Sequence, residues 1–265
     1  RAEADARTTR AHMQQSNGAN LATQPRHERS TRVMEIVAWS GAALFVISLA
    51  YFLYSYLYRF GRSVPDGPVL WPVVADCLLF SVFALHHSVF ARTPVKTWMR
   101  AVAPPALERS IYTWLASLLF LVVCWVWQPV PGRLYELEGA WRRLAEAGQI
   151  AGIVLILLAA RVLDVLDLAG IRAVTRARTG APPAHVPLST SGVFGIVRHP
   201  LYFGWALLVL AAPDMTATRA VFALVSTLYV AMAISWEERG LVETFGADYE
   251  RYRRRVRWKM IPFVY

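Results

Sequence analysis

Cysteine is nearly absent from this chain of 265 residues. Cys77 and Cys124 are the only two, each inside an apolar block, and no Cys-x-x-Cys spacing exists. That excludes a thiolate metal site of the usual spacing and gives no reason to expect a disulfide; both read as small buried apolar side chains. No Gly-x-Gly-x-x-Gly turn follows a strand pattern, so a soluble dinucleotide-binding domain is not visible. Acidic residues are few, 18 against 28 Arg and Lys, for a net charge of +10. Such a balance can signal nucleic acid, but here most cations stand between apolar blocks, where they mark one side of a membrane. Nucleic acid is therefore not an expected partner. The apolar blocks also lack an amphipathic 3.6-residue stripe, as expected of helices in lipid.

Hydrophobic residues make up 56% of the chain, and their clustering says more than their number. Six blocks run from about Ile36 to Tyr58, Leu70 to Ala91, Ile111 to Trp127, Gln149 to Leu168, Leu201 to Ala212 and Ala217 to Trp236. The fifth is too short to span alone at 1.5 Å per residue. The expected fold is all-α, a polytopic membrane bundle of five to six transmembrane helices ending in a C-terminal helical hairpin. Residues 1–32 read as a disordered polar tail, 33–190 as N-terminal membrane helices, and 191–265 as the hairpin with a charged tail lying on the membrane face. The chain begins with Arg; Met13 and Met34 are candidate starts, and no cleavable signal peptide is expected. Tyr51, Tyr54, Tyr56 and Tyr58, and the Trp-rich end of the third block, read as interfacial belts.

With six crossings, the two tails and the loops on their side hold 6, 4, 4 and 7 Arg and Lys, against 2, 3 and 1 in the opposite loops. The positive-inside rule then puts both termini in the cytoplasm, with a bacterial inner membrane as the expected location. This layout gathers His86, His87, Asp164, Asp167, Arg198, His199, Glu237 and Glu238 at the cytoplasmic face. Charged groups at membrane depth are costly, so they pair or line a cavity. Asp164 and Asp167 are candidates to pair with Arg161 or Arg172. A transporter needs polar groups through the whole membrane thickness, and this crowding on one face argues against transport.

Two motifs carry the chemistry. In Arg198-His199-Pro200-Leu201-Tyr202-Phe203-Gly204, the proline suits a first helical turn. Arg198 and His199 then flank a helix N-terminus that favours an anion. About forty residues on come Glu237-Glu238, then Phe245-Gly246-x-x-Tyr249-x-x-Tyr252-x-x-Arg255-Val256. Together these resemble the isoprenylcysteine carboxyl methyltransferase superfamily of integral membrane methyltransferases. The chain also resembles, more narrowly, the bacterial methanethiol S-methyltransferase group. That likeness rests on His87-Ser88-Val89-Phe90-Ala91-Arg92, Glu108-Arg109-Ser110-Ile111-Tyr112, Trp125-Val126-Trp127-Gln128-Pro129 and Asp167-Leu168-Ala169-Gly170-Ile171-Arg172. It departs from the group at Asp164 and Val165, where an Asn-His pair is typical, and at Arg257, where a Pro is common.

The resemblance implies S-adenosylmethionine as cofactor, entering from the cytosol. Its carboxylate would meet Arg198, His199 or the amides of the following helix; its ribose or ammonium would meet Glu237 or Glu238. Tyr202 would pack on it, and Gly204 leaves room for close approach. Glu238→Gln is expected to lose cofactor affinity with the fold intact. The implied acceptor is a small thiol such as methanethiol, with His87 accepting its proton and Arg255 as an alternative stabiliser of the anion. An isoprenylcysteine, a lipid or another lipophilic acceptor is the enzyme alternative, and membrane lipids are expected neighbours. A non-catalytic relative of the NnrU type and, more remotely, an NADPH-using membrane reductase are the other readings.

Overall fold

A computed structural model describes residues 30–90, 93–182 and 187–265. The expected disordered tail falls largely on residues 1–29, outside the described residues, as do Ala91, Arg92 and the segment 183–186. Residues 30–32, placed in that tail from sequence, are already helical. Helix α1 spans Ser30–Arg59, α2 Leu70–Phe90, α3 Thr93–Val102 and α4 Glu108–Val126. Strand β1 (Arg133–Glu136) leads into α5 (Gly139–Val162), the single turn α6 (Val165–Leu168) and α7 (Ile171–Thr179). Helix α8 (Pro200–Leu210), strand β2 (Asp214–Thr216), α9 (Ala217–Phe245) and α10 (Ala247–Arg255) complete the order.

Five of these helices, α1, α2, α4, α5 and α9, are long and apolar enough to cross a bilayer. Helix α8 has 11 residues, about 16 Å at 1.5 Å each, roughly half a hydrocarbon core. Its ends nevertheless lie toward opposite ends of the bundle. It runs antiparallel along α5, and the β2 strand that follows pairs with β1, just ahead of α5. Burial is the reverse of a water-soluble bundle: Leu78, Val82, Leu85, Leu157, Leu224 and Leu228 all stand exposed on the outside. Only hydrocarbon makes that surface favourable, and the protein is an integral membrane protein.

The core is aromatic. Phe222 is fully buried at its centre, with the rings of Trp127, Phe52, Phe60 and Tyr56 at 5.0, 5.5, 5.6 and 5.8 Å. Trp127 and Tyr56, expected in interfacial belts, are therefore core residues. Tyr54 and Tyr58, on the other side of α1, are the ones that face outward.

One end of the bundle carries the β1–β2 ribbon and is closed by two arginines. A helix leaves its last four carbonyls without partners. Arg59 donates to the carbonyls of Cys124, Trp125 and Trp127 at the end of α4, at 2.8, 2.9 and 3.0 Å. Arg219, itself buried, donates to the carbonyls of Tyr56 and Leu57 in the last turn of α1, at 2.9 and 2.6 Å. That turn is a π-turn, Ser55–Arg59. The ribbon was not legible as strands; it is held by backbone pairing of Arg133, Tyr135 and Glu136 with Thr216, Met215 and Asp214.

The opposite end holds the start of α1, the ends of α2 and α9, and the segments between α5 and α8. The apolar pattern suggested a helix through Leu168, but α5 stops at Val162. Asp164 takes a left-handed φ of 55° and Gly170 one of 82°, so Asp164 and Asp167 sit in a turn outside the span. Asp164 pairs with Arg172 at 2.5 Å, and Asp167 with Arg176 at 2.7 Å and with Arg109. Burial alone would raise the Asp167 carboxyl, but the Arg176 and Arg109 guanidiniums outweigh it and hold it below the usual range.

Two outcomes check this packing. A Cβ at Gly204 would lie 2.7 Å from the Gly152 carbonyl oxygen and 2.8 Å from Ile156 Cγ1. Gly204→Val should therefore cost ~1–3 kcal/mol, read as a lowered unfolding midpoint in detergent. Asp167 has a folded pKa below its unfolded one, so its stabilisation is full above the ordinary carboxylate range and is lost as pH falls through the folded value. The midpoint should drop on acidification, and Asp167→Asn should flatten that acid limb.

Candidate active site

Pro200 starts α8, as its missing N–H and fixed φ favour, and places Arg198 and His199 just ahead of the helix. Their backbone amides donate to the carbonyls of Trp258 and Lys259 at 2.9 and 2.8 Å. The Arg198 side chain, 5% exposed, donates from Nη1 to the carbonyls of Val256 and Arg257 at 2.7 and 2.8 Å, and from Nε to Glu238 Oε1 at 2.6 Å. Four consecutive carbonyls of the tail thus close on this dipeptide. His199 Nε2 lies 3.3 Å from the same Glu238 oxygen. Beneath the pair, Tyr252 donates to the Phe194 carbonyl at 2.7 Å, and burial pushes its phenol up to about 12. The Tyr249 hydroxyl lies close to Glu238 without reaching hydrogen-bond geometry, and burial raises its phenol above the ordinary value.

Glu237 behaves differently. It lies in the same helix, α9, which runs on to Phe245 rather than stopping at Trp236 as the apolar pattern suggested. Its side chain is 44% exposed, accepts from the Tyr202 hydroxyl at 2.9 Å and lies 3.5 Å from His199 Nδ1. Tyr202 stacks on the His199 ring at 5.6 Å with 9° between planes. Tyr112 of α4 and Tyr229 of α9 share this corner with Glu237 and Tyr202. Tyr229 reaches Ser88 at 3.1 Å. The Tyr112 hydroxyl lies 2.8 Å from His87 Nδ1 and 3.3 Å from His87 Nε2. Four helices, α2, α4, α8 and α9, therefore bring His87, Tyr112, Tyr229, Tyr202, His199 and Glu237 together.

The remaining expected site residues fall elsewhere. Gly204 does permit a close approach, but to Gly152 of α5. Arg255 stands exposed on α10, its Nη2 donating to the Thr190 carbonyl at 2.8 Å. His86 has both ring nitrogens sealed and without a partner, against the Phe90 ring at 4.3 Å. Tyr112, Tyr229 and Ser88 were not singled out from sequence. Tyr112 and Ser88 lie inside the quoted motifs, and a lone tyrosine in a span, such as Tyr229, carries no signal of its own. Among the described residues, no group of three or more His, Cys, Asp or Glu could hold a metal ion.

The chain is 36% identical to methanethiol S-methyltransferase of Pseudomonas deceptionensis over 202 residues, 74% of this chain and 76% of that protein. It is 35% identical to methanethiol S-methyltransferase 2 of Bradyrhizobium diazoefficiens, over 80% of this chain and 86% of the relative. The chain belongs to the methanethiol S-methyltransferase family. The Mycobacterium tuberculosis member is 31% identical over 82% of this chain and 92% of its own length. Nurim of Sus scrofa is a more distant relative, 27% identical over 68% of this chain and 71% of its own length. No family model and no solved structure matches.

The protein is a methyltransferase, an enzyme. In this methyltransferase the two adjacent glutamates have different surroundings, Glu238 paired with buried Arg198 and Glu237 half-exposed beside Tyr202. Removing charge from Glu238 leaves Arg198 buried without its counter-ion, a loss of roughly 3 kcal/mol or more. Glu238→Gln should thus unfold at a clearly lower temperature in detergent. This revises the expectation of an intact fold.

Proposed function

We propose that the protein transfers the methyl group of S-adenosylmethionine to a small thiol, methanethiol first among the candidates. The observation that supports this most is the aromatic, anionic corner of Tyr112, Tyr202, Tyr229 and Glu237 beside His87. The donor residues fit a sulfonium cofactor. Aromatic faces and a half-exposed carboxylate attract a cation, and Glu237 is the carboxylate of the pair left free of a buried arginine. Arg198 and Glu238 would hold the cofactor pocket in shape, with His199 and Tyr202 as its stacked wall. S-adenosylmethionine, when bound, supplies an electrophilic methyl group on a sulfonium.

The chain's own residues then have two tasks. A thiol reacts as its thiolate, so one group must take the S–H proton. We assign that task to His87, whose imidazole nitrogens lie beside the Tyr112 hydroxyl in this corner and can accept a proton. The second task is alignment of acceptor and donor, which the converging helix ends provide. Residues 191–265 would carry the donor site, and residues 33–190 would supply His87 and Tyr112. Arg255 would tether the segment ahead of α8 at the rim. The excess of Arg and Lys on the site end supports termini and site facing the cytoplasm of a bacterial inner membrane, so the donor would enter from water and a lipid-soluble thiol from the bilayer.

Calorimetric titration of the detergent-purified protein with S-adenosylhomocysteine tests the donor. Binding in the micromolar range is expected, followed by dimethyl sulfide in the headspace when methanethiol is supplied with S-adenosylmethionine. Folded protein that does not bind would overturn the assignment. Glu237→Gln should keep the wild-type unfolding midpoint and weaken binding of S-adenosylmethionine, which carries the sulfonium charge that S-adenosylhomocysteine lacks, about tenfold, the scale of one charged contact.

A further inference from the structure

A cavity of about 300 Å³ lies between the first turns of α1 and helix α7, and it shares no lining residue with the candidate active site. The lining positions 35, 38 and 39 of α1, and 171, 174, 175 and 178 of α7, are spaced by threes and fours, so each set forms one helix face. The floor is apolar: Ala38, Ile171 and Val174 are buried and packed together. Trp39 makes an exposed wall. The rim is polar and carries both signs of charge. Arg178 Nη1 lies 3.1 Å from Glu35 Oε1, and the two side chains remain 56% and 34% exposed. The Thr175 hydroxyl donates to the Ile171 carbonyl at 3.0 Å, which leaves its lone pairs for a donor.

Depth in the membrane says what kind of molecule reaches this cavity. Helix α1 has 30 residues, about 45 Å at 1.5 Å each, against roughly 30 Å of hydrocarbon. Shared between the two ends, the surplus puts Glu35 at the level of the lipid headgroups. Trp39, one turn further in, then lies near the hydrocarbon boundary, where indoles collect. Ile36, beside Glu35 on the same turn, is 67% exposed, so lipid flanks the cavity.

We propose that this cavity binds the headgroup of one phosphatidylethanolamine molecule. The lipid phosphate accepts from the Arg178 guanidinium, which has five N–H donors and spends one nitrogen on Glu35. The ammonium donates to the second carboxylate oxygen of Glu35 and to the Thr175 hydroxyl oxygen. The acyl chains leave past Trp39. An exposed ion pair contributes little to stability, so sharing the Glu35–Arg178 bridge with a zwitterion costs little. The two facing charges also select the headgroup. Phosphatidylcholine offers the phosphate but no N–H for Glu35. Phosphatidylglycerol sets a net negative charge against that carboxylate.

Native mass spectrometry of the detergent-purified protein tests this, with phosphatidylethanolamine, phosphatidylcholine and phosphatidylglycerol of identical palmitoyl-oleoyl chains added in turn. One phosphatidylethanolamine should bind about tenfold more tightly than either other lipid, the scale of one charged hydrogen bond. Glu35→Gln should lower its binding to the phosphatidylcholine level. Arg178→Ala should weaken both of these lipids, since both offer the phosphate. Glycerophosphoethanolamine, which has the headgroup without the chains, should bind far more weakly than the intact lipid. Equal binding of the three lipids, or an unchanged preference in Glu35→Gln, overturns the inference. Glycerophosphoethanolamine binding as tightly as the lipid would mark a soluble ligand and overturns it as well. Should either variant fail to fold, the unfolding midpoint of the wild-type protein decides. A midpoint higher in phosphatidylethanolamine than in the other two lipids supports the assignment, and one midpoint for all three overturns it.

Discussion

The buried Arg198–Glu238 pair is the interaction on which the rest of the site depends. Taking a guanidinium and a carboxylate out of water costs several kcal/mol for each ion. Mutual attraction offsets that cost only when the remaining donors also find partners. Here they do: Arg198 spans the start of α8, the last turns of α9 and the tail beyond α10, bonding Glu238 and the carbonyls of Val256 and Arg257. The backbone amides of Arg198 and His199 take the next two carbonyls. Segments far apart in sequence are thereby fixed at one point. Met260 is buried just past it, against Ile234 and Ala206. The two amides just ahead of the helix are thus used by the protein's own tail.

The two ends of the bundle solve the same problem by different means. Lipid supplies no hydrogen bonds, so every exposed helix terminus must find a partner within the protein. At the ribbon end, Arg59 and Arg219 satisfy the final carbonyls of α4 and α1, and a short β-ribbon pairs the connecting backbone. Those polar groups are consumed by structure. At the site end, carboxylates, imidazoles and phenols outnumber the needs of the backbone, and Glu237 keeps a half-exposed side chain. The proposed site lies at the end that has polar groups left after capping is done.

Much of this was legible from sequence because hydrophobic runs report directly on lipid. The spans and the crowding of polar residues at one end follow from apolar block lengths and charge placement, and charge placement offered Arg172, beside Arg161, as a partner of Asp164. The break at Asp164 was not legible, because Ala159 to Leu168 remains mostly apolar and a left-handed aspartate leaves no pattern. Arg59 and Arg219 counted only as loop charges, since capping depends on where a distant helix ends. Gly204 signalled a close approach, but the sequence could not say to what. Tyr229 sits in an apolar run like many core tyrosines, and its relation to Ser88 appears only when α2 and α9 pack.

The doubled residues, His86-His87 and Glu237-Glu238, invite a reading as reinforced pairs, but helix geometry makes that untenable. Successive side chains on an α-helix diverge by about 100°, so neighbours in sequence face different surroundings. On α9, that rotation turns Glu238 into a buried counter-ion and Glu237 toward the open corner with Tyr202. On α2, it leaves His86 against Phe90 and presents His87 to Tyr112. In each pair one member is held by partners and the other has bonding capacity to spare, though the open member is the carboxylate Glu237 in one case and the unpartnered His86 in the other. Capacity alone therefore does not identify a reacting group. His87 differs from His86 in lying beside the hydroxyl of Tyr112 among the groups of the candidate site, and that placement is what supports its proposed role.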